Sequence, residues 1–404
     1  MDLDDTPDQA RYRTRVRAWI AEHRHEAPPA VAGIGGSADI VERRRWQRLL
    51  AEAGLAGVMW PAEYGGAGLG PSEAVIANAE LQRAGVAGIV DHIAIGDIGP
   101  AIIVHGTEEQ RRRYLGPLLR GDEGWCQLFS EPAAGSDLAG ILTRARPSGD
   151  GWRIDGQKVW TTLAQHADLG MLLARTDPDV PKHAGLTMFI VPMHAGAVTV
   201  RPLRQISGDA HFNEVFFDGL EVGADAVLGG VGDGWGVATT TLMYERLMAM
   251  VAFDELLQGP EQLLAPIADH PGLDDARVRH AIAEVTTQRL GMRYALYRAL
   301  TALERGSIPG PEAGLGKIDA VEASRQACAL IAEVLGPDAL ELDRLARTVG
   351  LGRIAEREWT ALDDETRTLL EAFAAGVNAL MEQTRDHPPI GDELRAHRRA
   401  GDAP

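Results

Sequence analysis

Apolar residues near the start of the chain recur at a spacing of three to four positions. Tyr12, Val16 and Ile20 follow this spacing among charged residues, and the same pattern is typical of one buried helix face. Thr107 stands directly before two glutamates, so we predict that it caps a further helix, because a threonine oxygen accepts a hydrogen bond from a free backbone N–H group. The first part of the chain is therefore predicted to be a helical domain.

The sequence pattern changes near residue 125. Short apolar runs there alternate with turn residues, which is typical of β-strands joined by turns. The predicted strands lie at 151–156, 171–174, 186–191, 198–200 and 213–217. Their regular spacing indicates a small antiparallel barrel or sandwich. Helical periodicity returns at Trp235 and continues through 278–303 and 320–335. Helices, then strands, then helices predict an α+β fold with a middle antiparallel β-domain.

These patterns predict four segments. They are an N-terminal helical domain (1–122), a middle β-domain (123–229), a C-terminal helical domain (230–345) and an atypical helical extension with a tail (346–404). In the last segment an apolar stripe among charges predicts amphipathic helices that pack on the body or on a neighbour.

The amino-acid composition limits the kinds of molecule that the protein is expected to bind. The chain has 404 residues and a net charge of −18, which argues against nucleic acid and anionic membranes as partners. The N-terminus is acidic, and no apolar run approaches the ~20 residues that span a bilayer, so we expect a cytoplasmic protein. Cys126 and Cys328 have no metal-ligand spacing, and we predict that both are buried free thiols.

Candidate chemistry is concentrated in two segments, WCQLFSEPAAGSD at 125–137 and KVWTT at 158–162. Aromatic side chains such as Phe129 and Trp160 offer a stacking face, and the hydroxyl groups of Ser130 and Thr162 can hydrogen-bond ring heteroatoms. Together these side chains suit one wall of a pocket for a flat ring.

The two segments resemble the flavin-binding strands of acyl-CoA dehydrogenases, which read C-x-L-(S/T)-E-P-G-A-G-S-D and K-x-W-(I/T)-(T/S). Only Ala133 departs from the first pattern, and HGTEEQ at 105–110 followed by YL at 114–115 resembles another family stretch. The resemblance covers about residues 10–340 and implies FAD as cofactor, an acyl-CoA substrate, an electron-acceptor flavoprotein and a homodimer or tetramer. The cofactor-binding residues that it implies are Gln127, Phe129, Ser130, Trp160, Thr161 and Thr162.

The resemblance also implies a catalytic base. Some family members carry it as a glutamate on a C-terminal helix, in a D-x-E-R or similar context, and Tyr244-Glu245-Arg246 matches that arrangement. Glu245 is therefore predicted to remove the α-proton of the thioester, and Ser136, Tyr244 and Arg246 are predicted at the substrate. The alternative is that Glu245 is an ordinary solvated helix residue.

The end of the chain departs from the family. The closing motif G-(T/S)-S-E-I-Q-R-N-I-I and the arginine motif R-x-x-F-G have no counterpart, and 347–380 instead resembles the helical start of the penicillin acylase family, without its serine nucleophile. Two hypotheses follow. One is an active FAD-dependent acyl-CoA dehydrogenase, and the other is a catalytically impaired protein of the same fold that acts in binding or interaction. A flavin oxidase on this scaffold is a smaller third possibility.

Overall fold

The computed structural model describes residues 5–28, 40–89, 91–205, 210–251, 267, 269–305, 323, 325–331 and 333–334. The chain divides into two compact units. The first comprises Met1–Ala268 and Asp274–Leu330, and the second comprises Asp269–Leu273 and Ile331–Pro404. Every helix and strand named below belongs to the first unit. The predicted extension at 346–404 lies outside the described residues.

Helices form the N-terminal part of the first unit. They are α1 (Pro7–His23), α2 (Ile40–Glu52), α3 (Pro71–Arg83), α4 (Gly99–His105) and α5 (Glu108–Arg120). The predicted cap is confirmed, because the Thr107 hydroxyl accepts a hydrogen bond from the Gln110 backbone N–H at 3.2 Å. The predicted face of α1 is also confirmed, since Tyr12, Val16 and Ile20 are buried.

In addition to the buried apolar face of α1, ion pairs connect α1 with α3. The carboxylate of Glu80 is buried on α3 and accepts hydrogen bonds from Arg13 and Arg17, each at 2.7 Å. These hydrogen bonds, together with the charges of Arg83 and Arg17, outweigh the desolvation that raises the pKa of Glu80, and its pKa lies below the usual value. Apolar packing and ion pairs therefore both hold α1 in place.

The middle of the chain forms one eight-stranded sheet with the order β6-β7-β3-β2-β4-β5-β8, and β1 lies beside β4. The strands are β1 (Trp125–Leu128), β2 (Arg144–Ser148), β3 (Gly151–Thr162), β4 (Leu169–Arg175), β5 (Leu186–Pro192), β6 (Val198–Leu203), β7 (Phe212–Val222) and β8 (Val227–Leu228). Most pairs are antiparallel, as predicted, but β4 runs parallel to both β1 and β2. The long connection through β3 returns the chain in the direction that parallel pairing needs.

The sheet has a hydrophobic core on each face. Along β4, Met171 and Leu173 belong to the core shared with the N-terminal helices, whereas Leu172 and Ala174 belong to a second core on the opposite face. This alternation follows from the two-residue period of a strand. Because both faces are covered, β4 and β5 are continuous apolar runs in the sequence.

Helices follow the sheet, which completes the predicted α+β order. They are α6 (Gly234–Val251) and α7 (Ala276–Glu304), and the described residues between 323 and 334 are also helical. Among the described helices, none has the length and apolarity needed to cross a membrane. Both cysteines are free, but only Cys126 is buried, and the prediction for Cys328 was wrong because its position faces outward on its helix.

Candidate active site

The two segments that carry the predicted flavin residues are adjacent in space. The Val159 backbone N–H donates a hydrogen bond to the Ser130 carbonyl oxygen at 2.9 Å, which places the residues after β1 beside β3. The same strand continues through Trp160 to Thr162. The structure thus brings together Ser130, Trp160 and Thr162, which the sequence separates by about thirty positions.

A buried ion pair holds these segments together. Lys158 is fully buried on β3, and its Nζ donates to Glu131 Oε1 at 2.8 Å and to the Phe129 carbonyl at 3.0 Å. Glu131 also accepts hydrogen bonds from the backbone N–H groups of Leu142 at 2.6 Å and Thr143 at 3.0 Å. Burial alone would raise the pKa of Glu131, but the charge and hydrogen bond of Lys158 lower it below its usual value. The carboxylate is therefore ionised and fully engaged, which fixes the loop after β1.

A backbone irregularity presents the side chain of Trp160. The pairing of β3 with β7 shifts between Lys158 and Thr161, and Trp160 has a φ of 59°. A bulky residue rarely adopts this left-handed conformation, and such strain is concentrated at functional sites. Trp160 remains 61% exposed, and its ring lies nearly perpendicular to that of Phe212, with a centroid distance of 6.0 Å. Trp160 therefore has one large aromatic surface available to a ligand.

The other predicted wall residues differ in accessibility. Gln127, Ser130 and Thr162 are half-buried, and the hydroxyl groups of Ser130 and Thr162 make no hydrogen bond to another described residue. The side chains of Phe129 and Thr161 are instead buried, Phe129 in the core shared with the helices. Trp160 is thus the aromatic that can stack on a ligand, and any contact from Phe129 or Thr161 would have to come through the backbone.

These observations test whether the residues fit a flavin. An isoalloxazine ring needs a flat apolar contact and hydrogen-bond donors at its heteroatoms. The exposed indole of Trp160 provides the first, and the unengaged hydroxyl groups of Ser130 and Thr162 provide the second. The residues present therefore fit the cofactor that the resemblance implies.

Glu245 lies on α6, four positions after the buried residue Thr241. Val237, Ala238 and Thr241 are completely buried, and Leu242 packs against the same core. Residues three and four apart share a helix face, so Glu245 continues that stripe, but its side chain is exposed. It forms no ion pair or hydrogen bond with another described residue. Its exposed side chain also agrees with the alternative that Glu245 is an ordinary solvated helix residue, so its role as the base stays a prediction.

The predicted substrate residues occupy two separate places. Ser136 is exposed on the loop after β1, next to Asp137, which pairs with Lys182 at 2.7 Å. Tyr244 is half-buried and Arg246 is exposed, on either side of Glu245 in α6. Contact of all three with a substrate stays a prediction.

A single π-turn, formed by Ala94–Ile98 immediately before α4, packs against both β1 and α6. Asp91 precedes it and accepts hydrogen bonds from the backbone N–H groups of Ala94 at 2.9 Å and Trp125 at 3.0 Å. The indole N–H of Trp60 donates to the Ile95 carbonyl at 3.1 Å. This turn is therefore the element that joins the start of the predicted flavin wall to the helix of Glu245.

Comparison with known proteins gives the family. The models for the acyl-CoA dehydrogenase N-terminal, middle and C-terminal domains match residues 6–122, 126–220 and 232–356. A further model, penicillin amidase, matches 322–399 and overlaps the C-terminal dehydrogenase domain. Both predicted resemblances are thereby confirmed, and the chain belongs to the acyl-CoA dehydrogenase family.

Individual relatives agree with this assignment. The chain is 38% identical to acyl-CoA dehydrogenase IpdE1 of Mycobacterium tuberculosis, over 75% of this chain and 80% of that protein. It is 41% identical to acyl-CoA dehydrogenase FadE34 of the same organism over 80% of this chain, but spans only 44% of that relative. A solved structure named "Tcur3481-Tcur3483 steroid ACAD" is 31% identical with a TM-score of 0.72, covering 83% of this chain and 86% of that one. The predicted fold and the predicted enzyme class, an acyl-CoA dehydrogenase, are confirmed.

Sequence reasoning did not identify two features of the site. One is the pairing of Lys158 with Glu131, although both residues stand in the motifs that carried the resemblance. The other is Asp97 in the π-turn. The sequence does contain a sign of it, because Asp97 is the only ionisable residue in the apolar run 93–104.

Proposed function

We propose that the chain is an FAD-dependent acyl-CoA dehydrogenase that oxidises the Cα–Cβ bond of an acyl-CoA thioester, with Glu245 as the base. The observation that carries this proposal is the position of Glu245. It is an unpaired, accessible carboxylate among the described residues, on a helix that buries Val237 and Ala238 in the core shared with the N-terminal helices. A carboxylate without a competing partner is available to accept a proton.

The proposal assigns each residue a role. Glu245 takes the α-proton of the thioester, Trp160 packs on the face of the cofactor, and Ser130 and Thr162 hydrogen-bond its heteroatoms. Ser136, Tyr244 and Arg246 contact the substrate. FAD held by these residues would supply the two-electron acceptor for the hydride from Cβ, which the conversion of the carbon–carbon single bond into a double bond requires. Lys158 and Glu131 act on none of the reacting atoms and keep the loop after β1 in place.

The experiment compares Glu245→Gln with wild type. After reconstitution with FAD, both proteins are assayed with a panel of acyl-CoAs and a dye as electron acceptor. We expect the variant to bind FAD normally and to lose at least about 100-fold in turnover, which is the contribution of a positioned general base. Glu221→Gln, at an exposed position of β7, is the matched control and should retain full activity. Retained turnover in the Glu245 variant would overturn the assignment of the base.

The panel should include polycyclic acyl-CoAs, because the solved neighbour is named as a steroid ACAD. The name of that neighbour joins two proteins, so a non-identical partner chain should be tested beside the homodimer or tetramer that we propose. Light scattering of the FAD-loaded protein gives the mass of the assembly. An electron-acceptor flavoprotein is proposed as the partner that reoxidises the cofactor.

A second candidate function is favoured by one observation, the penicillin amidase match at 322–399. If that segment replaces the part that closes the cofactor site, the protein would be a catalytically impaired member of the family that acts in binding or interaction. Such a protein would show no flavin absorbance after reconstitution, whereas the enzyme would.

A further inference from the structure

Asp97 differs from every other buried acid near the candidate active site. It is 6% exposed, and neither carboxyl oxygen has a hydrogen-bond partner among the described residues. Asp91, six positions earlier, accepts two backbone N–H groups, and Glu131 accepts two backbone N–H groups and a lysine. Buried carboxyl groups normally have hydrogen-bond partners, so Asp97 lacks the contacts that account for Asp91 and Glu131.

Its backbone setting is also unusual. Asp97 lies in the π-turn, and such single turns are rare in helices and are found most often at functional sites. The hydrogen bond from the Trp60 indole N–H to the Ile95 carbonyl oxygen holds the turn in place. Gly99 fits directly against the same indole, where an added Cβ would lie 2.0 Å from the ring atom Cζ2. The neighbouring contacts therefore fix the position of the Asp97 backbone.

The π-turn of Asp97 packs against α6, the helix that carries Glu245. Helices α4, α5 and α6 and strand β1 pack on the turn, and the described charged groups that act on Asp97 are Glu245 from α6 and Asp91 before the turn. Desolvation by burial and then these two negative charges raise the pKa of Asp97 to about 8. At pH 7 most of the group is therefore the neutral acid, which can donate one hydrogen bond.

We propose that Asp97 is a specificity-determining residue whose carboxyl group donates a hydrogen bond to an oxygen substituent on the acyl chain, beside the carbons that are oxidised. The substrate class is thus an acyl-CoA with a hydroxyl or keto oxygen in the chain, rather than a plain hydrocarbon chain. This inference rests on the proposed function, because it places the acyl chain next to Glu245. An oxygen acceptor would supply the partner that the carboxyl group lacks, whereas a methylene group in its place would leave the group unpaired.

The test uses FAD-loaded protein and pairs of acyl-CoAs that differ only in one chain oxygen, placed at successive carbons beyond Cβ. For the best pair, wild type should favour the oxygenated member by about 10- to 100-fold in kcat/KM. Asp97→Asn keeps a donor and should keep most of this preference. Asp97→Leu removes the donor and should abolish the preference, measured as the ratio of kcat/KM for the two members of each pair. Asp150→Asn, in the exposed turn between β2 and β3, is the control.

A binding measurement gives a second readout. Affinities of the matched 2-enoyl-CoA products are measured by calorimetry across pH. In wild type the preference for the oxygenated product should fall as the pH rises through about 8, since the donor proton is then lost, and in Asp97→Asn it should not change with pH.

The outcomes separate the two claims. If no acyl-CoA reduces the bound flavin of wild type, the proposed function is wrong and the inference fails with it. If flavin is reduced but Asp97→Leu keeps the wild-type preference, or wild type shows none with any pair, only the inference is overturned.

Discussion

Removal of the Lys158 side-chain charge should strongly destabilise the protein. In Lys158→Met the carboxylate of Glu131 loses its buried counter-ion, and breaking such a pair typically costs about 3–5 kcal/mol. Lys158 and Glu131 form such a buried ion pair, because their side chains are only 0% and 6% exposed. Because Glu131 keeps the backbone N–H groups of Leu142 and Thr143, we expect a loss near the lower end, about 3 kcal/mol.

Equilibrium urea unfolding followed by tryptophan fluorescence measures this loss. Lys182→Met is the matched control, because Lys182 and Asp137 form a pair of similar length, 2.7 Å, with side chains that are 51% and 63% exposed. Exposed pairs contribute about 0–1 kcal/mol. The double variant Lys158→Met/Glu131→Gln removes both charges and should be more stable than Lys158→Met alone. Equal losses in the two lysine variants would refute this account of the buried pair.

The same pair predicts a pH dependence. The folded-state pKa of Glu131 is lowered, so its contribution to stability is complete above its ordinary pKa and is lost as the pH falls through the folded value. Lys158→Met removes the charge and hydrogen bond that lower this pKa. Acid unfolding of the variant should therefore begin at a higher pH than that of wild type.

Substitutions at three further positions test the candidate site and the contacts that support it. Trp160→Ala should weaken FAD binding about 2- to 10-fold, from the loss of an aromatic contact of about 0.5–1.5 kcal/mol, as measured by fluorescence titration. Trp60→Phe leaves the Ile95 carbonyl without its donor and should cost about 1–3 kcal/mol in urea unfolding. Thr107→Ala removes the cap of α5 and should cost about 1 kcal/mol, whereas Thr107→Ser should cost little; an equal loss in both would contradict the capping role.

The sequence was sufficient for features that depend on local periodicity. The buried stripe of α1 follows from the spacing of its apolar residues, and the Thr107 cap follows from short-range hydrogen bonding. Strands β3 to β7 were predicted near their observed positions for the same reason, whereas β2 and β8 were not predicted. The parallel pairing of β4 depends on contacts distant in sequence.

Features of the site that depend on long-range contacts were less accessible. The pattern indicated that Trp160 and Ser130 belong together, but not the strand irregularity that gives Trp160 its positive φ and exposed ring. The π-turn could not be predicted, since it depends on Trp60, a residue more than thirty positions away. Burial of Phe129 and Thr161 likewise follows from how the helices and strands pack on each other.

An anaerobic titration of the FAD-loaded protein with acyl-CoA tests the central claim most directly. The proposal predicts that at least one member of the panel bleaches the visible flavin absorbance in wild type and in Glu221→Gln, but not in Glu245→Gln. Flavin that is bound and remains oxidised with every acyl-CoA would contradict the assignment of a dehydrogenase activity. Bleaching that is unchanged in Glu245→Gln would contradict the role of Glu245 as the base.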